Sequence, residues 1–205
     1  MKLICVGGVS SGCGKTSVAA LLISAFPRWA ALKVTPCRPD GACPHARNCG
    51  ACEPPEGGFE IVTDRAVLAQ PDTDTSRLLA AGASRVVWLR ALPECLPEAL
   101  QSALAVLSDS CGVIVESTTA IPLVQGYRIL VANERSREIK DSARACMAHV
   151  DLVVVNLMEP DTVPRGGGLD AAAAAPVVHL CAALPWRHAL NRQFIELCRS
   201  AVYNV

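Results

Sequence analysis

"LICVGGVSSGCGKTS", Leu3 to Ser17, begins as an apolar run, breaks into glycines and serines, and resumes as an amphipathic pattern at Gly14-Lys15-Thr16. Strand, glycine-rich turn and helix in that order form the setting in which backbone N–H groups and a helix N-terminus cradle phosphate oxygens. The lysine then reaches the terminal phosphates and the threonine hydroxyl ligates magnesium. Gly8, Ser10, Ser11, Gly12, Cys13, Gly14, Lys15, Thr16 and Ser17 are therefore the candidate nucleotide-binding residues. The strict spacing G-x-x-x-x-G-K-T would put glycine at Val9, whereas the chain places it one residue earlier, at Gly8. Cys13 reads as a small residue that fits between the glycines rather than as a redox-sensitive thiol.

Outward from this loop, β-rich runs recur at Leu3, Ala31, Arg85, Gly112, Tyr127, Asp151 and Pro176, with helical patterns between them at 15–25, 73–81, 94–107, 137–149 and 188–202. Runs apolar on both faces and separated by helices predict an α/β fold, a mostly parallel sheet covered by helices on both sides in three layers. A chain of 205 residues, half of them apolar, fits one domain, 1–205, with a cysteine-rich insertion at 36–58. Lysine plus arginine equals aspartate plus glutamate at nineteen each, which gives no basic surface for nucleic acid or an anionic membrane. The apolar runs are strand-sized and no signal peptide is seen, so the expected location is cytoplasmic. In a reducing compartment, eleven cysteines point to metal or redox chemistry rather than disulfide staples.

"GVSSGCGKTS" resembles the loops of dethiobiotin synthetase and cobyrinic acid a,c-diamide synthase, within the P-loop NTPases that include the deviant-Walker ATPases. Ser10 stands where those ATPases carry their signature lysine, so dimerisation through that lysine is not implied. The chain is also similar to molybdopterin-guanine dinucleotide biosynthesis protein B, in "FEIVTD", in "PDTDTSRLLAAGASRVVWL" and in "VIVES", Val113 to Ser117. Lys33 closes the second predicted strand, as a lysine does in dethiobiotin synthetase and in molybdopterin-guanine dinucleotide biosynthesis protein B, where it would meet a phosphate or an anionic substrate; the alternative is an ordinary strand-end lysine. The resemblance makes Asp64, Asp74 and Glu116 the candidate magnesium or water-positioning carboxylates, Glu116 foremost, with Asp74 alternatively a helix-start charge or cap beside Asp72 and Thr73. Asn156, ending "DLVVVN", matches the base-reading asparagine of such NTPases. The residues after it, Leu157, Met158 and Glu159, lack the guanine signature, which leaves ATP and GTP both open.

"PCRPDGACPHARNCGAC", Pro36 to Cys52, spaces Cys37, Cys43, Cys49 and Cys52 as C-x5-C-x5-C-x2-C. Four thiolates so close, in a stretch punctuated by proline and glycine, predict a metal centre: a [4Fe–4S] cluster, with Zn²⁺ the alternative. The remaining cysteines, at 5, 95, 111, 146, 181 and 198, are expected in the core. The whole predicts a magnesium-dependent ATPase or GTPase with a cysteine-ligated metal site near the nucleotide, in a homodimer or against a client metalloenzyme or cofactor-biosynthesis protein. The alternatives are an ATP-dependent ligase that phosphorylates a carboxylate beside Lys33, and a nucleotide-gated metal carrier or electron-transfer adaptor with negligible turnover.

Overall fold

The computed structural model describes residues 1–37, 54–136, 138–160 and 175–204. Its centre is an eight-stranded sheet in the order β3-β4-β2-β5-β1-β6-β7-β8. The strands are β1 (Leu3–Gly8), β2 (Ala30–Pro36), β3 (Phe59–Val62), β4 (Val86–Ala91), β5 (Val113–Glu116), β6 (Tyr127–Asn133), β7 (Leu152–Asn156) and β8 (Val177–Leu180). Every pairing is parallel except that of β3 with β4. The α/β reading therefore holds, with one antiparallel edge strand that the apolar runs did not announce.

The described helices are α1 (Lys15–Ala25), α2 (Arg65–Leu68), α3 (Asp74–Ala80), α4 (Leu96–Ala105), α5 (Asp141–Cys146) and α6 (Ala189–Tyr203). Crossovers between parallel strands are right-handed. The β1–α1–β2 connection runs one way along the sheet and β4–α4–β5 the other, which puts α1 and α4 on opposite faces. All six residues of β1 are buried, and α1 is buried at Val18, Ala19, Leu21, Leu22, Ile23 and Ala25. A helix apolar around most of its circumference belongs inside the layers, and this one fixes the turn before it.

Strand order also sets where a ligand goes. β1 is flanked by β5 and β6, while its successor β2 lies beyond β5, so the chain reverses direction along the sheet at β1. Ligands of open α/β sheets bind at the carboxyl ends of strands at such a switch point. Register then delivers charge there: Glu116 on β5 pairs with Lys33 on β2 and Val6 on β1. Lys33 does not close its strand as expected, because β2 runs on to Pro36.

Two junctions frame the cysteine-rich stretch. Pro36 on β2 and Phe59 on β3 are both register partners of Ala91 on β4. The Cys37 N–H donates to the Ala91 carbonyl (2.7 Å), and the Leu92 N–H to that of Gly58 (2.8 Å). The cysteines split more than the sequence suggested: Cys5, Cys13, Cys146, Cys181 and Cys198 are buried, but Cys95 is partly accessible and Cys111 exposed beside the Arg28 guanidinium. Cys111 sits in the turn before β5, where only the following residues enter the sheet.

Candidate functional site

The turn from Val9 to Gly14 is built by close approach as much as by glycine's freedom. A Cβ on Gly8 would fall 2.4 Å from the Lys15 stem and 2.5 Å from the Cys13 sulfur. The glycine at position 8 therefore lets the lysine fold back over the strand, and Val9 is buried instead of lining the turn. Cys13 is 1 % exposed, in keeping with a packing role. Gly14, at φ +95°, starts α1 from the left-handed region, where L side chains are strained. The Thr118 hydroxyl donates to the Gly8 carbonyl (3.2 Å) and accepts from the Gly8 N–H (3.0 Å), pinning the end of β1 to the segment after β5. No sequence signal marked Thr118. On the far side of the loop, Ser10 lies 3.4 Å from the Ser136 hydroxyl, and the Asn133 amide donates to the Gly12 carbonyl (3.4 Å).

Beside this turn a hydroxyl, two carboxylates and an ammonium converge. The Thr16 hydroxyl is 2.9 Å from Asp74 Oδ1 and 2.9 Å from Glu116 Oε1. It has one proton and so serves one carboxylate at a time. Lys33 Nζ donates to Glu116 Oε1 (3.0 Å) and to Asp74 Oδ2. The Glu116 side chain is fully buried, Lys33 is 16 % exposed and Asp74 39 % exposed. Burial alone would lower the Lys33 pKa, but the charges and hydrogen bonds of Glu116 and Asp74 outweigh it and hold the ammonium above its ordinary value. Burial likewise pushes the Asp74 carboxyl up, and Lys33, with Thr16 and Lys15, brings it below the usual aspartate value. Glu116 Oε2 is buried with no hydrogen-bond partner among the described residues. Buried polar atoms are nearly always satisfied, so this oxygen has the character of a ligand atom.

Of the other candidates, Asp64 is not brought here. It is exposed and caps α2, accepting from the Ala66 N–H (2.8 Å). Asp74 is not the cap of α3, a role taken by Thr73, whose hydroxyl accepts from the Ser76 N–H (3.1 Å). Asn156 reaches the loop but not as a free base reader. Its Oδ1 accepts from the Ala182 N–H (2.9 Å), its side chain is buried, and its amide nitrogen lies so near Gly14 that a Cβ there would come within 2.3 Å. It braces the glycine turn against the segment after β8. Ser11, Gly12, Gly14, Lys15, Thr16, Ser17, Lys33, Asp74 and Asn156 line one cleft of about 780 Å³, which Thr35, Arg77, Leu157, Met158, Ala182 and Ala183 complete. Lys140, another residue without a sequence signal, donates its N–H to the Val9 carbonyl (2.9 Å). Burial, then the nearby Lys15 charge, depress its ammonium pKa.

Cys43, Cys49 and Cys52 lie outside the described residues, and Cys37 is buried at the end of β2. Among the described residues no group of three or more histidine, cysteine, aspartate or glutamate side chains is placed to hold a metal ion, and no helix is long and apolar enough to cross a membrane.

By sequence the chain matches no protein-family profile and no curated protein. By structure it is similar to LpxK from Aquifex aeolicus in complex with ATP, at 14 % identity and TM-score 0.49 over 87 % of this chain and 53 % of that one. The chain thus spans about half the length of that protein. It is also similar to the MinC:MinD cell division complex of Aquifex aeolicus, at 14 % identity, TM-score 0.45 and coverage of 94 % and 86 %. A nucleotide-binding protein in complex with ADP from Archaeoglobus fulgidus follows, at 12 % identity, TM-score 0.39 and coverage of 98 % and 88 %. Likeness at this level is one of general form; the α/β class rests on the chain's own strand order and register.

Proposed function

We propose that the protein is a magnesium-dependent nucleoside triphosphatase that takes ATP or GTP. One observation carries the reading: the glycine-built turn at Gly14-Lys15-Thr16 stands against a hydroxyl and two carboxylates, one of them with a buried, unpartnered oxygen. Thr16, Asp74 and Glu116 offer hard oxygen donors of the kind magnesium prefers, so the donor set fits that ion. Magnesium, when bound, neutralises charge on the phosphates. The backbone N–H groups of the turn and Lys15 hold the phosphate oxygens, and Lys33 holds both carboxylates in place by hydrogen bonds to each. Asp74, the more exposed carboxylate, is the one that can orient an attacking water.

Titration calorimetry with ATP and GTP in the presence and absence of Mg²⁺, paired with phosphate release, tests this. Saturable, magnesium-dependent binding that Lys15→Ala abolishes is expected; no saturable binding of either nucleotide would overturn it.

In the same proposal Cys37, Cys43, Cys49 and Cys52 bind a [4Fe–4S] cluster, or Zn²⁺ in its place, and hydrolysis serves assembly or delivery of a metalloenzyme cofactor. The spacing of the cysteines supports this, as does their origin at Cys37, directly beyond the strand that carries Lys33. Anaerobic purification with iron, sulfide and zinc analysis decides between cluster, zinc and neither. The ligase reading keeps one observation in its favour: the cleft continues past the carboxylates to Thr35 and Arg77.

A further inference from the structure

Arg77 stands three residues after Asp74 on α3, a spacing at which the two side chains would ordinarily pair. Here the carboxylate is taken: Oδ1 faces the Thr16 hydroxyl and Oδ2 the Lys33 ammonium. Arg77 lines the cleft, exposed, with no carboxylate partner among the described residues. Thr35 lines the same cleft, two residues beyond Lys33 on β2. The Trp88 indole N–H, which can only donate, gives its proton to Thr35 Oγ1 (2.9 Å). The threonine must therefore send its own proton elsewhere, and no described acceptor takes it. Among the described residues, a guanidinium without a carboxylate partner and a hydroxyl constrained to donate thus line one cleft with the two carboxylate-bound groups, Thr16 and Lys33.

We propose that Thr35 and Arg77 form a subsite for the oxyanion of a second, small-molecule substrate, a carboxylate or a phosphate, held beside the terminal phosphate of the nucleotide. The proposal rests on the nucleotide reading above and deepens it. A guanidinium fork matches two oxygens of either group, and the hydroxyl supplies a further donor. Lys33 is not the anion's partner, because its charge is committed to Asp74 and Glu116. The turn residues and Lys15 remain with the nucleotide.

The test uses the full chain saturated with Mg²⁺ and a non-hydrolysable ATP analogue, titrated with malonate and, separately, with sulfate. Saturable binding of either probe, weakened about tenfold or more in Arg77→Ala and in Thr35→Val while analogue affinity stays within twofold, supports the subsite. Malonate alone points to a carboxylate substrate and sulfate alone to a phosphorylated one. Three outcomes overturn it: no saturable binding of either probe, equal binding by Arg77→Ala and the parent, or binding that vanishes once the analogue is present, which would place the anion in the phosphate turn. Failure with analogue binding intact leaves the nucleotide reading standing; loss of analogue binding by the parent removes both.

Discussion

Replacing Gly14 by alanine puts a methyl group where the Asn156 amide lies. The strain of a left-handed alanine costs about 1–2 kcal/mol. The added Cβ would sit 2.3 Å from Asn156 Nδ2, so the amide must move, and the hydrogen bond from the Ala182 N–H goes with it. Disrupting a buried hydrogen bond of this kind costs about 1–3 kcal/mol. Gly14→Ala should thus lose about 2–5 kcal/mol, read as a shift of the urea midpoint at constant slope. Asn156→Ala, which removes the obstacle, should cost about 1–3 kcal/mol by itself. The double variant should then fall short of the sum of the single losses by about 1–3 kcal/mol, because the hydrogen bond of Asn156 is lost once rather than counted twice and the methyl group adds only the backbone strain. Losses that add within about 0.5 kcal/mol would refute the claim that the asparagine braces the turn at Gly14.

Lys33→Met leaves Asp74 and the buried Glu116 without their shared cation and should cost about 3 kcal/mol at pH 8 without magnesium. In urea titrations across pH, the gap from the parent should narrow on acidification, as Asp74, which Lys33 holds below the usual aspartate value in the parent, takes up a proton. It should also narrow above about pH 10.5, where Lys33, held above that ordinary value in the parent, gives up its own; a pH-independent gap would exclude the ion pairs as its source. Asp64→Ala removes the α2 cap alone and should lower stability by about 1 kcal/mol while phosphate release is unchanged, in contrast to Asp74→Ala, which should abolish it. Lys140→Met should raise the thermal midpoint of the nucleotide-free protein at neutral pH, since burial and Lys15 disfavour the charged form. That gain should fade as pH rises through the depressed lysine value, and a midpoint lowered at neutral pH would contradict it.

The glycine turn between β1 and α1 was legible because it is local: strand, glycines and helix are contiguous, and α1 spans the residues its pattern predicted. Glu116 and Lys33 stood out as charged residues at the ends of apolar strand runs. Their pairing did not, because it depends on β2 lying next to β5, a matter of strand order with no local signature. β3 escaped notice because three half-buried residues and an exposed Glu60 on an edge carry too little apolar surface to read as a strand. Asp64 was misplaced for the opposite reason: an aspartate just after a strand looks the same in sequence whether it binds an ion or caps a short helix. Thr118 and Lys140 act through contacts to the backbone of β1 and the residue following it, where the identity of the partner side chain leaves no trace.

The chain leaves β2 at Pro36 and returns at Phe59 on either side of one residue, Ala91. Those junctions are two strand spacings apart, about 10 Å, a gap that a short loop can close. Everything between them, cysteines included, can therefore lengthen, shrink or vanish over evolutionary time without rethreading the sheet or displacing Lys33 and Glu116. The thiols are in this sense a detachable cassette, and a homologue lacking them altogether can retain the same glycine turn and carboxylates.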